Sequence, residues 1–431
     1  MRWKLIICSL AVLLLAGAAA AQEFLAGADL SHLAFFEDRG IAYRADGQAQ
    51  DAVTVLKDRG INCVRLRLFT SSAAQALADP YNYANNLAYT LPLAVRVKSA
   101  GLKLLLDFHF SDTWADPGHQ AKPAAWTNLT FAQLQPQLRS YCSNTIASLG
   151  AAGALPDYVQ IGNEMTSGLL WTDGQVGGVY ENVAQWSQLG TLIKAAIQGV
   201  KDAAGAMPPK FIIHLDRGGD WATTQWFFDH LNAQAVSYDI IGQSYYPFWH
   251  GSLDDLRNCL TNAARRYNKS VIVAETDFPY SDSTNLLGFT ASTNGQVDYL
   301  VALAQVVKGL PGRKGAGIFW WGAEYQALSG YNLAGFHRRS LFGPDGNVLP
   351  AATALGQLAA PIILSFTRIN GGIRLEWPFS GAGMSLVATT NLLSPANWQT
   401  VPDSIQSTGG MFSMTMPLDP VSRRFYRLQS N

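Results

Sequence analysis

The sequence has no excess of positive charge, few charged residues of either sign and few cysteines. Lysine and arginine together number 31, as do aspartate and glutamate, so the clustered basic surface of a nucleic-acid-binding protein is not expected. Only 14% of the 431 residues are charged and 48% are hydrophobic, a balance that argues against extensive disorder. Four cysteines in a chain of this length exclude a scaffold built on disulfides. The length allows one large barrel-sized domain with a small one, or two to three ordinary domains.

Long apolar runs are also missing beyond the N-terminus. Residues 1–21 begin with Arg2 and Lys4, continue with an apolar run at 5–15 and end in small residues at 16–21. This run is shorter than the roughly 20 residues that cross a bilayer, so it predicts a cleaved secretory signal and not an anchor helix. We therefore expect a secreted protein, extracellular or periplasmic, with no membrane segment after cleavage.

Signal cleavage removes one cysteine and leaves three. Cys63 lies in an apolar strand pattern and is expected to be a small buried hydrophobic residue. Cys142 and Cys259 could pair, and the sequence leaves this open. A catalytic thiol is not expected, because no cysteine lies beside a plausible histidine base.

Residues 22–360 alternate short apolar runs with segments of helical length. The helical segment 184–200 shows the pattern well, with apolar residues recurring at spacings of three and four. Eight such strands predict a closed (β/α)₈ TIM barrel, an α/β fold. A doubly wound open sheet is the alternative, but no Gly-x-Gly-x-x-Gly follows the first strand. The predicted strands are 24–29, 62–67, 103–108, 158–162, 211–215, 240–243, 271–274 and 317–320.

The composition changes at about residue 361. Residues 361–431 show apolar and polar residues in alternation at 373–377 and 385–388, with Gly-Gly turn signals after Asn370 and Thr408. We interpret this part as a separate small all-β module resembling a β-sandwich. It contains no cluster of acids or histidines that suggests chemistry, so a stabilising or sorting appendage is favoured over a carbohydrate-binding one.

Ionisable or aromatic residues lie at the carboxyl end of nearly every predicted barrel strand. In a parallel barrel the carboxyl ends of the strands face the active site, so these residues are candidates for function. One such residue would carry little information, but eight at equivalent strand ends are not expected of an ordinary solvent-exposed surface. They are Asp29, Arg65, His109, Glu164, His214, Tyr246, Glu275 and Trp321.

Two of these residues, Glu164 and Glu275, are carboxylic acids that directly follow apolar runs. They belong to strands four and seven, which face each other across the barrel mouth. Two facing carboxyl groups are what glycoside cleavage requires, one as proton donor with a raised pKa and one as ionised nucleophile. The alternative for each residue is a salt-bridged position at the barrel rim.

Several neighbours of this acid pair have side chains suited to sugar or to carboxylate. Asn163 is predicted to bind a sugar hydroxyl, and Arg65 and Tyr246 to hold Glu275 ionised by donating hydrogen bonds. His109 is a candidate hydroxyl binder, with a satisfied core histidine as the alternative. Asp107 and His109 have a spacing that suits a metal, but no second histidine cluster completes a site, so a catalytic metal is not expected.

The loop at 110–126, after strand three, is rich in polar and aromatic residues, as binding loops are. Asp112 in this loop is a further candidate substrate-binding residue. Trp114, Trp126, Trp171 and Trp249 are candidates for stacking on sugar rings. Packing within the loops is the alternative for each tryptophan.

From about residue 24 to 360 the sequence resembles the endo-β-1,4-galactanases of glycoside hydrolase family 53. The longest matching stretches are Asp-Phe-His-Phe-Ser-Asp-Thr-Trp-Ala-Asp-Pro-Gly-His at 107–119 and Gly-Asn-Glu-x-Thr-Ser-Gly-Leu-Leu-Trp at 162–171. Shorter ones lie at 27–29, 64–67, 122–126, 244–247 and 274–276. The sequence departs from the family pattern at 319–325, where Gly322 follows Trp321 and many relatives have Trp-Glu-Pro. This difference bears on the shape of the sugar-binding subsites and on the length of the products, and not on the chemistry.

The resemblance implies a TIM barrel that cleaves β-1,4-galactan, the side chain of type I arabinogalactan in pectin, with retention of configuration. It implies that Glu164 is the acid/base and Glu275 the nucleophile. No cofactor is required and a monomer is expected, although some relatives bind a structural calcium in a late loop, where Asp277 and Asp282 are candidate ligands. The alternatives are a retaining β-glycanase acting on mannan, xylan or β-glucan, and a non-catalytic carbohydrate-binding barrel, which would be expected to have lost one acid.

Overall fold

The computed structural model describes residues 23–393, 396–402, 404–408, 410–417 and 424–430. The predicted signal segment 1–21 lies outside the described residues. Within the described ranges, no helix is both long and apolar enough to cross a membrane.

Eight parallel strands close into a barrel, which confirms the predicted fold. Each strand is a short apolar run buried on both faces, as expected when helices cover the outside of a parallel sheet. The pairing runs in sequence order around the ring and closes between the first and last strands. The strands are β1 (Leu25–Asp29), β2 (Cys63–Leu68), β3 (Lys103–Phe108), β4 (Tyr158–Ile161), β5 (Lys210–Leu215), β6 (Ile240–Ser244), β7 (Ser270–Thr276) and β8 (Gly315–Trp320).

Helices surround the barrel, and all of those named here except α1 and α11 begin where the sequence supplies a capping side chain. Thr130 and Gln133 form a reciprocal capping box at the start of α6, which satisfies two backbone donors that the helix leaves unpaired. The helix predicted at 184–200 is α7, and it buries its apolar stripe. The helices are α1 (Leu33–Glu37), α2 (Ala52–Asp58), α3 (Ala73–Ala78), α4 (Pro80–Tyr83), α5 (Leu87–Ser99), α6 (Phe131–Ala151), α7 (Val183–Ala204), α8 (Trp221–Ala233), α9 (Leu253–Tyr267), α10 (Thr293–Lys308) and α11 (Pro350–Gln357).

The barrel interior is a packed core of its own. Leu25, Cys63, Ile212 and Phe319 belong to this cluster, which is separate from the larger core between strands and helices. Gly27 on β1 is needed here, because a Cβ at this position would come within 2.1 Å of the Phe319 ring. With the lower barrel filled in this way, the open space is left at the carboxyl ends of the strands.

The three cysteines of the described chain are free and buried. Cys63 is the small buried residue that the strand pattern predicts. Cys142 on α6 and Cys259 on α9 are not paired with each other, which answers the question that the sequence left open.

The C-terminal part folds into antiparallel β-structure, as predicted. Its strands form two sheets that enclose Trp377, Phe379 and Phe412, and Gly383 and Gly410 pack closely against the barrel at Gly309 and Gln357. One sheet has the order β9-β10-β14-β13 and the other the order β12-β11-β15. The strands are β9 (Ser365–Ile369), β10 (Gly372–Pro378), β11 (Met384–Thr389), β12 (Gln399–Thr400), β13 (Gln406–Thr408), β14 (Met411–Pro417) and β15 (Phe425–Ser430).

Candidate active site

A cleft of about 580 Å³ lies at the carboxyl ends of the barrel strands, and both Glu164 and Glu275 line it. Glu164 follows β4 and Glu275 lies near the end of β7. Their carboxyl oxygens and a ring nitrogen of His214 all lie within 4.8 Å of one another. The barrel therefore brings together two acids that are far apart in the chain.

Glu164 enters the cleft from a tight turn after β4. Gly162 has a φ of 81° and Glu164 itself a φ of 45°, a left-handed conformation that is uncommon for a residue with a side chain. Backbone strain of this kind is often found at functional positions. The turn directs the carboxyl group of Glu164 toward Ser244, whose hydroxyl donates to Oε1 at 2.6 Å.

His214 lies behind this contact and does not line the cleft. Its Nε2 is 2.9 Å from the Ser244 hydroxyl oxygen. Since that hydroxyl gives its hydrogen to Glu164, Nε2 must carry the proton and donate to Ser244. Burial, followed by the positive charge of Arg65, holds the pKa of His214 well below its ordinary value, so the ring is neutral. The predicted substrate-binding residue His214 thus acts through Ser244 on Glu164.

Glu275 is held by two donors on opposite oxygens. Arg65 Nη2 lies 2.7 Å from Oε1, and the Tyr246 hydroxyl donates to Oε2 at 2.9 Å. The placement of both residues agrees with the sequence prediction that they hold this carboxylate. Only one edge of the carboxyl group is left toward the cleft.

Arg65 is itself the centre of a buried charge cluster. Its Nη1 contacts Asp29 at 2.8 Å, and its Nη2 contacts Asp107 at 2.7 Å and Asn163 Oδ1 at 2.9 Å. Asp29 does not line the cleft, so this predicted substrate-binding residue orients Arg65 instead. The fork geometry of guanidinium is what allows one side chain to serve several carboxylates at once.

The two acids differ in pKa. Burial raises the pKa of Glu164 well above its ordinary value, and the negative charges of Glu275 and Asp216 raise it further. Burial also raises the pKa of Glu275, but Arg65 and the Tyr246 hydrogen bond oppose the rise. Arg65 and Tyr246 each lower the pKa of Glu275, but burial raises it by more than these two donors lower it. Glu164 therefore keeps its proton to a higher pH than Glu275, as a general acid requires.

His109 and Asn163 line the cleft, but their polar atoms are already engaged. His109 Nε2 lies 3.0 Å from Asp107 and its Nδ1 accepts from the Ala115 amide at 2.9 Å. Asn163 accepts from Arg65 and donates to the Ala115 carbonyl at 2.8 Å. A sugar hydroxyl could bind a His109 nitrogen only if one of these bonds broke. His109 therefore agrees better with the alternative, a core histidine whose two nitrogens are satisfied within the protein.

The tryptophans predicted to stack on sugars divide into two groups. Trp114 and Trp249 line the cleft, as does Trp321, the candidate residue at the end of the eighth strand. Trp171 does not, and its indole instead donates to the Ser167 carbonyl at 2.8 Å. Trp126 is buried and packs edge-on against Tyr141, which is the packing alternative.

Asp112 does not line the cleft either. Its carboxylate accepts hydrogen bonds from Thr70, Gln75 and the Ala124 amide at 2.7, 3.0 and 2.9 Å. It therefore ties the loop after β3 to the loop after β2. The placement corrects the expectation that Asp112 contacts substrate.

The cleft also contains residues that the sequence reasoning missed. Asp216 shares the inward register of His214 two positions earlier, so strand alternation could have identified it. Tyr81, on the short helix α4, and Phe336, at the start of a 3-10 turn, gave no sequence signal. Arg67 follows Arg65 by two residues, and its guanidinium lies 4.0 Å from the Trp114 ring centroid. The full set of such lining residues is Arg67, Tyr81, Ala115, Asp116, Pro117, Asp216, Arg217, His250 and Phe336.

The candidate calcium ligands Asp277 and Asp282 belong to no group of three possible metal ligands among the described residues. Asp277 is fully buried 3.5 Å from the Arg339 guanidinium, whose charge opposes a cation, and Asp282 lies on an exposed hairpin strand, Ser281–Leu286. Among the described residues, Glu164, His214 and Glu275 form the one group of three possible metal ligands. Arg65 bound to Glu275 also disfavours a cation there. These donor sets do not fit a resident metal.

A closed parallel barrel with a pair of carboxyl groups at its carboxyl-terminal mouth defines the class of (β/α)₈ glycoside hydrolases. Sequence comparison identifies the family: the model of glycosyl hydrolase family 53 matches residues 25–355. The chain belongs to this family and is a glycoside hydrolase.

Individual relatives support this assignment. A probable arabinogalactan endo-beta-1,4-galactanase A of Aspergillus terreus is 37% identical over 310 residues, covering 68% of this chain and 84% of the relative. The family 53 catalytic domain of Ignisphaera aggregans superposes with a TM-score of 0.71 at 33% identity, covering 79% of this chain and 97% of that one. A fungal beta-1,4-galactanase structure gives a TM-score of 0.69 at 31% identity, covering 78% and 99%. The resemblance seen in the sequence motifs is thereby confirmed.

Proposed function

We propose that this protein is a secreted, retaining endo-β-1,4-galactanase that hydrolyses the galactan side chains of type I arabinogalactan. The observation that carries the chemistry is the spacing of Glu164 and Glu275, since one carboxyl oxygen of Glu164 lies within 4.8 Å of one carboxyl oxygen of Glu275. Retaining glycosidases place the two carboxyl groups about 5–5.5 Å apart, whereas inverting ones need about 6.5–9.5 Å to admit a water. The names of the similar galactanases support the substrate.

The proposed mechanism has two displacements. Glu164, kept protonated by burial, gives its proton to the glycosidic oxygen while Glu275 attacks the anomeric carbon from the opposite face. The bond to the leaving sugar breaks and a galactosyl ester on Glu275 forms. Glu164 then takes a proton from water, whose oxygen displaces Glu275. Arg65 and Tyr246 stabilise the carboxylate of Glu275 each time it is ionised.

The substrate is tested by incubating the protein with β-1,4-galactan, mannan, xylan and β-glucan in parallel. We expect reducing sugar from galactan alone, with oligosaccharides of several lengths early in the reaction. Proton NMR of the first products should show the β-anomer before mutarotation. Release from another polymer in preference to galactan would favour the related β-glycanases, and no release from any would favour a non-catalytic barrel.

The acid pair is tested with Glu275→Ala and Glu164→Ala. Loss of Glu275 should abolish galactan cleavage, and loss of Glu164 should lower it about 10²–10⁴-fold, the usual contribution of a general acid/base. Glu376→Ala in β10 of the C-terminal module is the matched control and should cleave normally. Circular dichroism checks that each variant is folded. Full activity in a folded Glu275→Ala variant would refute the assignment.

The remaining parts of the proposal concern metal, assembly and export. We expect cleavage to survive treatment with EDTA, because the acid pair and its donors carry the proposed chemistry without a metal. We expect a monomer in sedimentation experiments. N-terminal sequencing of the exported protein should begin at Gln22, and a start at Met1 would contradict the predicted signal segment.

A further inference from the structure

The C-terminal module contains a pocket of its own, at one end of the sheet β12-β11-β15. Its volume is about 500 Å³, and it shares no lining residue with the active-site cleft. This volume lies within the range of about 300–1,000 Å³ that is typical of ligand-binding pockets. We call it the module pocket; its polar lining includes Thr390, Asn391, Asn397, Gln399, Thr400 and Arg424.

Strand pairing brings the walls of the module pocket together. Thr389, the last residue of β11, pairs with Phe425, the first residue of β15, so Arg424 and the loop after β11 leave the sheet at the same point. On the other side of β11, Ala388 pairs with Gln399 of β12. Three segments that are separate in the chain therefore meet at this end of the sheet.

The rim of the module pocket is held by contacts within the module. The Asn391 amide donates to Thr389 Oγ1 at 3.3 Å, and Asn391 Oδ1 accepts from the Leu393 amide at 2.9 Å. The Arg427 guanidinium lies 4.1 Å from the centroid of the Trp398 ring, which ties the segment before β12 to β15. A ligand therefore meets a surface whose backbone is already ordered, which lowers the entropic cost of binding.

Polar side chains in this pocket have no partners within the protein. Thr390, Asn397, Gln399 and Arg424 are exposed, and their side chains make no hydrogen bond to the rest of the described chain. Amide side chains both donate and accept, and so does a threonine hydroxyl. Such groups match the hydroxyl groups of a sugar, which also donate and accept.

The module pocket is also positively charged. Arg424 is the one charged residue among the described residues that line it, and it forms no ion pair within the described chain. Residues 361–431 contain five arginines and three acids, whereas residues 22–360 contain 24 basic and 28 acidic residues. A guanidinium binds a carboxylate through two parallel hydrogen bonds, and this one has no acid of the described chain to occupy it. The pocket therefore complements a ligand that has both carboxylate and hydroxyl groups.

We propose that the module pocket binds an acidic polysaccharide, with the carboxylate of a uronic acid unit on Arg424 and sugar hydroxyls on Asn397 and Gln399. This assigns to the module the carbohydrate-binding role that its sequence alone disfavours. Neutral galactan has no carboxylate, so the ligand of the module pocket differs from the substrate proposed for the cleft.

The test is calorimetric titration of the full-length protein with three matched hexamers. They are the α-1,4-linked hexamer of galacturonic acid, the fully methyl-esterified form of the same hexamer, and hexaglutamate. We expect the galacturonate hexamer to bind at least tenfold more tightly than the other two, because the ester lacks the charge and hexaglutamate lacks the hydroxyl groups. Binding should weaken as the salt concentration rises, since Arg424 is exposed to solvent.

Variants of the full-length protein locate the site. Arg424→Gln should weaken binding of the galacturonate hexamer about tenfold, and Asn397→Ala about threefold, as expected for loss of a charged and of a neutral hydrogen bond. Arg374→Gln is the matched control, because it removes the same charge from the module at an arginine outside the pocket, paired with Glu376 at 3.1 Å. It should bind as the wild type does, and circular dichroism checks that each variant is folded.

Three results would overturn the inference. They are absence of binding by the wild type, equal affinity for the methyl ester or for hexaglutamate, and equal weakening by Arg424→Gln and Arg374→Gln. Binding is measured without cleavage, so a protein that binds the galacturonate hexamer but does not cleave galactan would contradict the proposed function and support this inference.

Discussion

Replacement of Arg65 by methionine removes the one cation that three buried carboxylates share. Arg65 Nη2 lies 2.7 Å from Glu275 Oε1, which puts the charge centres about 4 Å apart and their interaction at about 4 kcal/mol for an effective dielectric constant of about 20. At about 1.4 kcal/mol per pKa unit, the pKa of Glu275 should rise by up to about three units. Glu275 must be ionised to attack, so the acidic limb of the pH profile should move to higher pH by that amount.

The assay is the initial rate of reducing-sugar release from galactan as a function of pH. Arg65→Lys keeps one charge but cannot span all the acids, so its acidic limb should lie between those of the wild type and Arg65→Met. Arg266→Met, which breaks an exposed ion pair with Asp229 at 2.8 Å, is the matched control and should leave the profile unchanged. An acidic limb in folded Arg65→Met that coincides with the wild type would refute the reasoning.

The same substitution should also lower stability. Breaking a buried ion pair by removing one partner costs about 3–5 kcal/mol. Burial holds the pKa of Glu275 above its unfolded value, and loss of Arg65 raises it further, so the loss of stability is largest at neutral pH and shrinks as the pH falls and Glu275 binds a proton. Urea unfolding at neutral and acidic pH measures this difference.

Four further predictions follow from the site and the packing. Asp216→Asn removes a negative charge that raises the pKa of Glu164, so the alkaline limb of the galactan profile should move to lower pH. Ser244→Ala removes a hydrogen-bond donor that lowers the pKa of Glu164, so the alkaline limb should move to higher pH. A shift of the alkaline limb in the same direction in both variants would contradict these roles of Asp216 and Ser244. Trp377→Ala empties the buried centre of the C-terminal module and should lower its stability by about 3–5 kcal/mol in thermal unfolding, with the Glu376→Ala variant as control. The three buried thiols, Cys63, Cys142 and Cys259, should react with a thiol reagent only when the protein unfolds. Rapid labelling of the native protein would show that the labelled cysteine is accessible to solvent.

Much of the barrel was predictable because its strands are local features of the sequence. Each strand is a short, largely apolar run, and polar residues such as Arg65, Asp107 and His214 lie in its carboxyl-terminal half, toward the mouth. The predicted strand at 103–108 coincides with β3, and the others differ from the structure by one or two residues at one or both ends. The long motifs around His109 and Glu164 identified the family for the same reason, since they are contiguous in the chain.

The roles of individual side chains were less predictable, because they depend on partners from distant segments. Asp112 and Trp171 lie in motif-rich loops, yet their hydrogen bonds are made within the protein and away from the cleft. His109 reaches the cleft, but Asp107 and the Ala115 amide occupy its nitrogens. Tyr81 and Phe336 line the cleft because the short helical segments that carry them, far apart in the chain, both lie at the barrel mouth.

The sequence by itself determined the strand and helix order, the family and the two acids, since these are written in runs and motifs of adjacent residues. Only the tertiary structure decided that Glu164 and Glu275, 111 residues apart, share one cleft, and that burial raises the pKa of both. Closure of the barrel brings strand ends together irrespective of their distance in the chain. Desolvation and the choice of hydrogen-bond partner then depend on everything that surrounds each group, which no local pattern records.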